Sequence, residues 1–171
     1  ARLRKEILRK RNLISPEVRA QKSLAIMERL YKLQEFRSAR LLHIFVSFGS
    51  EASTEDIIKD SLKEGKRIVV PIIEHNARRL ILSEITDYDL DLAPGHWGIL
   101  EPKKEAIRFI DPDHLDLILA PGVAFDASCR RLGHGAGYYD KLLAGCKDRP
   151  LTIGLAYEMQ VIDDVPVMEY D

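Results

Sequence analysis

LLHIFVSF at positions 41–48 and RIVVPII at positions 67–73 are the two segments that decide the fold. Both are short, almost wholly apolar and rich in branched residues, which is typical of strands covered on both faces. Between them, the run Ser53-Thr54-Glu55-Asp56 predicts the start of a helix and Gly65 predicts its end. The order strand, helix, strand predicts a βαβ unit, whose crossover is right-handed in nearly all proteins.

Further strands are predicted from two similar apolar runs, LDLILAP at 115–121 and LTIGLAY at 151–157, and from 80–85. A helix is expected near 138–144, and the stretch 87–102 is expected to be mainly loop because it contains two prolines and two glycines. The pattern therefore predicts an α/β fold with a mostly parallel sheet and helices on both faces.

Two helices are predicted at the beginning of the chain. The segment 3–13 has the pattern of a basic amphipathic helix, and Ser15-Pro16-Glu17 then supplies an N-cap, a first-turn proline and a first-turn acid. Four apolar residues at helical spacing are expected to form the buried face of the second helix: Ala20, Leu24, Met27 and Tyr31.

Length and composition limit the class of protein. The chain has 171 residues, which predicts one domain over 1–171. Lys and Arg number 26 against 27 Asp and Glu, and this balance argues against a protein that coats nucleic acid or anionic membrane. No apolar run reaches the ~18 residues of a membrane span. Cys129 and Cys146 form no CxxC pattern, so we expect free thiols in a cytoplasmic protein.

The densest functional pattern is RLGHGAGYYD at positions 131–140. Its three glycines allow a close approach of backbone amides to a ligand, and a helix N-terminus follows, which together favour an anion site. Arg130 and Arg131 are expected to place cations at its entrance. The pattern is neither a Walker motif nor GxGxxG, so a purely structural turn is the alternative.

Three other residues are candidates for the same site, each with a simpler alternative. Asp140 could bind Mg²⁺ beside a polyphosphate, or it could only complement the helix dipole. Glu51 follows a buried strand, where a carboxylate can reach a substrate, although an exposed loop residue is more common. Trp97 and Phe48 could contact a flat heterocycle, or Trp97 could only anchor its loop. Calcium-loop, zinc and serine-nucleophile patterns are not satisfied.

Taken together, these patterns resemble the 5-formyltetrahydrofolate cyclo-ligase family. The resemblance is carried by the 131–140 run and by five further blocks in the family's order: Leu3-Arg4, Glu51-x-x-Thr54, Trp97-Gly-Ile-x-Glu-Pro102, Pro121-Gly-Val-Ala-Phe-Asp126, and Val165-Pro166 with Asp171. It implies a monomeric enzyme that uses ATP and Mg²⁺ to convert 5-formyltetrahydrofolate to 5,10-methenyltetrahydrofolate, with a reduced folate and ATP as its small-molecule partners.

The resemblance also implies a set of site residues. Those expected to bind ATP are Arg4, Arg131, Leu132, Gly133, His134, Gly135, Ala136, Gly137, Tyr138 and Tyr139. Those expected to bind the folate are Val46, Glu51, Trp97, His134, Gly135, Ala136, Gly137 and Tyr138. Asp140 and Asp171 are expected to hold Mg²⁺, and Glu51, Arg131 and Tyr139 are expected to act in catalysis.

The chain departs from the family pattern at two positions. Many members carry lysine where this chain has Ala136, and a second lysine that would precede Ala1. Relatives also continue past Asp171, so we expect the chain to be truncated at both ends. Loss of one charged phosphate contact costs ~1.5–3 kcal/mol, or about tenfold or more in affinity. A non-catalytic folate- or nucleotide-binding relative is therefore an alternative, and a sugar-phosphate enzyme on a similar scaffold is a weaker one.

Overall fold

The computed structural model describes residues 1–167, and its centre is a five-stranded sheet. The helices are α1 (Arg2–Asn12), α2 (Pro16–Tyr31), α3 (Gln34–Ser38), α4 (Glu55–Lys63), α5 (Tyr88–Asp91) and α6 (Tyr138–Gly145). The strands are β1 (Leu41–Ile44), β2 (Arg67–Glu74), β3 (Arg79–Ile85), β4 (Leu92–Pro94), β5 (Leu100–Pro102), β6 (Leu117–Ala120), β7 (Ala124–Phe125), β8 (Arg131–Leu132) and β9 (Leu151–Gly154).

The order of strands across the central sheet is β3-β2-β1-β6-β9. β1 pairs in parallel with β2 and with β6, and β6 pairs in parallel with β9. Only the edge strand β3 runs antiparallel, because a tight connection joins it to β2 as a hairpin. Two small ribbons, β4–β5 and β7–β8, lie outside this sheet. The predicted α/β class with a mostly parallel sheet flanked by helices is therefore confirmed.

The core lies on the central strands, where every residue of β1 and β6 is buried. The strands predicted at 67–73 and 80–85 form almost as expected, as β2 and β3. The other three end earlier than predicted: β1 ends at Ile44, β6 at Ala120 and β9 at Gly154. The apolar residues that follow β1 leave the sheet and line a pocket, and apolar character alone does not distinguish these two environments.

The first two helices form as predicted, but α2 buries a different face. The hydroxyl of Ser15 caps α2 by accepting from the Val18 amide at 3.3 Å. Ala20 and Leu24 of the expected stripe are exposed, so that part of the prediction is wrong. The buried face is centred on Ser23 and Leu30, and it includes a polar residue because the Ser23 hydroxyl accepts from the Ser53 amide at 3.0 Å.

The stretch 87–102 contains more regular structure than expected. It forms α5, the antiparallel ribbon β4–β5 and a single 3₁₀ turn over His96–Gly98. Its elements are three or four residues long, too short to show a periodicity in the sequence. The ribbon presents Trp97 with a φ of 53°. Within residues 1–167, no helix is both long and apolar enough to cross a membrane.

Candidate active site

A pocket of about 420 Å³ lies where the loops that follow β1 and β6 meet the hairpin and the β4–β5 ribbon. This is the edge of a parallel sheet at which α/β proteins usually bind ligands. Its apolar wall is formed by Phe45, Val46, Phe48, Pro71, Ile73, Leu80, Trp97, Ile99 and Pro121. Its polar wall is formed by Glu51, Glu101 and residues of the 131–140 segment. One cavity thus joins an aromatic surface to the glycine-rich motif.

Two aromatic side chains of the apolar wall are accessible to a ligand. Phe48 is 47% exposed and Trp97 is 67% exposed. The Trp97 ring packs nearly perpendicular to the rings of His75 and His96, which ties the ribbon to the hairpin. An exposed aromatic ring at the mouth of an apolar pocket can stack on a flat heterocycle.

The glycine-rich loop, residues 133–137, connects β8 to α6 and curves around the other end of the pocket. Gly135 and Gly137 have φ values of +109° and +70°, which side-chain-bearing residues rarely adopt. Gly137 is the N-cap of α6, so the positive end of that helix meets the pocket wall. Arg4 reaches the loop from α1, and its Nε donates to the carbonyl of Gly133 at 2.7 Å. The arrangement is suited to an anion such as phosphate.

Arg131 is the cation of this pocket. Its Nη2 lies 2.6 Å from Oδ1 of Asp140, its Nη1 donates to the Pro121 carbonyl at 3.1 Å, and its Cζ lies 5.7 Å from the centre of the Tyr139 ring. The predicted role of Arg130 at the entrance is wrong. Arg130 instead forms ion pairs with Asp126 and Asp164 and is not among the pocket residues.

Glu51 lies in the pocket and is fixed at both carboxylate oxygens. Oε2 accepts from the Phe48 amide at 2.8 Å, and Oε1 lies 3.3 Å from Nε2 of His134. The side chain is only 15% exposed, so it is not an ordinary loop glutamate. The Tyr157 hydroxyl also donates to the backbone carbonyl of Glu51 at 3.1 Å, which anchors the loop itself.

Sequence reasoning missed two polar residues of this region. Glu101 lines the pocket, and its Oε1 accepts from the Ile73 amide at 3.3 Å. His43 is fully buried on β1, and its Nε2 lies 2.9 Å from the Tyr139 hydroxyl. Burial lowers the pKa of His43 to about 3, and burial likewise raises the pKa of Tyr139. A signal existed for each: an acid four positions after Trp97 in the loop-rich stretch 87–102, and a histidine in an otherwise apolar strand segment.

Asp140 is the one predicted metal ligand whose structure is described, because Asp171 lies outside residues 1–167. Asp140 is 54% exposed in the first turn of α6 and faces the pocket, where it pairs with Arg131. Within residues 1–167, no three His, Cys, Asp or Glu side chains form a group that could hold a metal ion. A single carboxylate next to an anion site still fits Mg²⁺, which is usually bound by one or two carboxylates together with phosphate oxygens.

The pocket brings together most of the predicted site residues. Those that line it are Val46, Glu51, Trp97, Arg131, Gly133, His134, Ala136, Gly137, Tyr138, Tyr139 and Asp140. Arg4, Leu132 and Gly135 do not line it. Arg4 contacts the glycine-rich loop from α1, outside the pocket. Leu132 packs on a second apolar cluster that contains Val123. Their predicted roles in ATP binding stay predictions.

A family model described as 5-formyltetrahydrofolate cyclo-ligase matches residues 1–171. The chain belongs to this family. It is 32% identical to the 5-formyltetrahydrofolate cyclo-ligase of Mus musculus over 177 residues, which covers 99% of this chain and 87% of the mouse protein. It is 27% identical to the enzyme of the same name from Haemophilus influenzae, over 99% and 91% of the two chains. The resemblance seen in the sequence motifs is thereby confirmed, as is the assignment to an enzyme family.

Two solved structures share the fold of this cyclo-ligase family member. The NMR structure of the 5,10-methenyltetrahydrofolate synthetase of Aquifex aeolicus superposes with a TM-score of 0.86 at 33% identity, and the match covers 99% of this chain and 84% of that one. A 5,10-methenyltetrahydrofolate synthetase from Mycoplasma pneumoniae superposes with a TM-score of 0.76 at 23% identity, over 96% and 89% of the two chains. The second likeness concerns the fold alone.

Proposed function

We propose that the chain catalyses the ATP- and Mg²⁺-dependent conversion of 5-formyltetrahydrofolate to 5,10-methenyltetrahydrofolate, with release of ADP and phosphate. The observation that carries this proposal is a single pocket that joins an aromatic wall to the glycine-rich loop and Arg131, in a chain of the cyclo-ligase family. The first surface suits the flat pterin and the second suits phosphates. Because the pocket takes residues from 45 to 140, we also propose that the chain acts as one domain.

The proposed reaction has two steps. The formyl oxygen of the folate takes the γ-phosphoryl group of ATP, and ADP leaves. The neighbouring folate nitrogen then attacks the formyl carbon, loses its proton and closes the ring, while phosphate leaves with the former formyl oxygen. Phosphoryl transfer needs positioning and charge neutralisation more than a nucleophile from the protein. The pocket offers backbone amides, Arg131 and carboxylates, and these are groups of that kind.

The residues at the anion-binding end of the pocket have proposed roles in the use of MgATP. The glycine-rich loop and Arg131 bind the phosphates, and Arg4 supports the loop through the Gly133 carbonyl. Asp140 would hold Mg²⁺, and the chemistry that this ion supplies when bound is neutralisation of phosphate charge. Asp140 and Arg131 already form an ion pair, so both charges lie at the same end of the pocket.

Glu51 is proposed to orient the pterin and to stabilise the positive charge that develops as the ring closes. Its carboxylate is held by the Phe48 amide and lies beside His134, so it needs little rearrangement before it acts. Val46, Phe48 and Trp97 supply apolar surface in the same pocket, and a folate that covers this surface would exclude water and strengthen the interaction, because a low dielectric weakens screening.

The test is a continuous absorbance assay for methenyltetrahydrofolate with 5-formyltetrahydrofolate and MgATP as substrates. We expect product to form only when the protein is supplied with 5-formyltetrahydrofolate, ATP and Mg²⁺ together. 5-Methyltetrahydrofolate is the matched control because it has no formyl oxygen to phosphorylate. Absence of product from the full-length gene product would reject the proposal. Tight folate binding in calorimetry without ATP hydrolysis would favour a non-catalytic binding protein, the alternative suggested by Ala136.

A further inference from the structure

One polar side chain at the centre of the sheet has no explanation in packing. His43 lies on β1 between Val69 of β2 and Ile118 of β6 and is 0% exposed. Its chain neighbours Leu42 and Ile44 are also fully buried and apolar. Strands buried on both faces are normally built from such residues, because a buried polar group costs free energy unless it is hydrogen-bonded. An imidazole at this position therefore needs a partner that makes it favourable.

That partner is Tyr139, a residue of the candidate site. The Nε2 of His43 lies 2.9 Å from the Tyr139 hydroxyl, and the two rings are 5.6 Å apart at 45°. Nδ1 of His43 is buried and makes no hydrogen bond of good geometry within residues 1–167, and the group that faces the imidazole there is the backbone of Val69. The contact with Tyr139 is thus the hydrogen bond that connects the buried imidazole to the pocket.

Tyr139 in turn contacts the cation of the pocket. It is 9% exposed, and its ring faces Arg131, whose Cζ lies 5.7 Å from the ring centre. Arg131 is also bound to Asp140 and to the Pro121 carbonyl. A ring held at its hydroxyl cannot rotate freely, so its face keeps a constant position toward the guanidinium.

We propose that His43 is a positioning residue, which fixes the Tyr139 ring and through it the Arg131 guanidinium in the pocket. This inference rests on the proposed function, in which Arg131 binds the transferred phosphoryl group. His43 touches neither substrate in this scheme and acts through the hydroxyl of Tyr139. Burial holds its pKa at about 3, so the imidazole stays neutral and its role does not depend on pH near neutrality.

The experiment is a double-mutant cycle between His43→Met and Tyr139→Phe. Methionine is close to histidine in size but cannot hydrogen-bond, and phenylalanine removes only the hydroxyl. We expect each single variant to lower kcat/KM for MgATP about fivefold, which corresponds to the loss of one hydrogen bond. We expect the double variant to be no worse than Tyr139→Phe alone, within a factor of two. His43→Gln retains a polar end and should restore most of the activity.

Two controls separate positioning from stability. His114→Met removes an exposed histidine outside the pocket and should leave kcat/KM unchanged. All variants are assayed well below their melting temperatures, so that loss of folded protein does not contribute. If His43→Met lowers kcat/KM equally with and without the Tyr139 hydroxyl, or lowers only the melting temperature, the inference is wrong.

Failure of the proposed function would give a different result. In that case the wild-type chain would form no methenyltetrahydrofolate, whatever residue stands at position 43. The same cycle would then be measured by calorimetry as the dissociation constant of a non-hydrolysable ATP analogue. Coupling between the two substitutions in that binding constant would support the role of His43, and independent effects would reject it.

Discussion

Oε1 of Glu51 lies 3.3 Å from Nε2 of His134, and this contact joins the loop after β1 to the glycine-rich loop. The two residues are far apart in the sequence and meet on the polar wall of the pocket. The second oxygen of Glu51 accepts from the Phe48 amide, so the carboxylate has a fixed place between the apolar wall and the anion-binding loop. A fixed carboxylate in this place can act on the end of a substrate that meets the phosphates.

Substitution of Glu51 by glutamine should lower kcat at least tenfold. Glutamine keeps the size of the side chain but removes the charge, and a hydrogen bond to a charged group is worth ~1.5–3 kcal/mol, or about tenfold to a hundredfold in rate. Steady-state kinetics with 5-formyltetrahydrofolate measure the effect. Glu105→Gln is the matched control, because Glu105 is exposed and outside the pocket. A kcat within a few-fold of wild type for Glu51→Gln would contradict the proposed role.

Substitution of Asp140 by asparagine should weaken the use of MgATP much more than it weakens folate binding. We expect KM for MgATP to rise at least tenfold, since the proposed Mg²⁺ ligand and the ion pair with Arg131 are both lost. The dissociation constant of the folate, measured by calorimetry, should change less than about threefold.

The control for Asp140 is Asp56→Asn. Asp56 is an exposed acid in the first turn of α4, as Asp140 is in the first turn of α6, so both substitutions remove the same helix-dipole interaction. Asp56→Asn should leave both substrates unaffected. Equal losses of MgATP and folate binding in Asp140→Asn would instead indicate a role in folding.

The sequence predicts the sheet well and the pocket walls less well, for a physical reason. Fully buried strands such as β1 and β6 have a local apolar signature, and the glycine-rich loop has a local signature of its own. The pairing of Arg131 with Asp140 is also local, because nine positions separate them. The contacts of Glu51 with His134 and of His43 with Tyr139 depend on tertiary structure. No periodicity encodes such contacts.

The prediction for Arg130 is wrong because the direction of a side chain, like a tertiary contact, is not visible in the sequence. Arg130 directly precedes β8, whose first residue is Arg131, and successive side chains of an extended backbone point in opposite directions. Arg131 therefore faces the pocket, while Arg130 faces Asp126 and Asp164. The sequence could identify a pair of cations at this place but could not say which of them meets the ligand.

Substitution of Asp126 by asparagine should lower the free energy of unfolding at neutral pH. Hydrogen bonds from the amides of Val165, Arg130 and Ser128 hold the pKa of Asp126 below its usual value of 3.8. A carboxyl group whose folded-state pKa is depressed stabilises the fold above its unfolded pKa, and that stability is lost as the pH falls through the folded pKa. Asparagine removes the charged acceptor and hence this contribution.

Urea unfolding of wild type and Asp126→Asn between pH 7 and pH 3 measures the effect. The difference between the two should be largest above pH 5 and should shrink as the pH falls below about 4. Asp148→Asn, at an exposed position, should follow the wild-type curve throughout. A constant difference between Asp126→Asn and wild type at every pH would show that the carboxylate charge is not the cause.

Substitution of Gly137 by alanine should destabilise the protein and impair ATP use, whereas Gly145→Ala should do neither. The two glycines cap and end the same helix, α6, and a Cβ at either position would meet no atom within 4 Å. They differ in backbone conformation, because only Gly137 has a positive φ, of +70°. Alanine at Gly137 should therefore cost ~1–2 kcal/mol of unfolding free energy, and relief of that strain would turn the loop amides away from the phosphates. Urea unfolding and KM for MgATP measure the two effects, and similar values for both variants would show that the left-handed conformation does not matter.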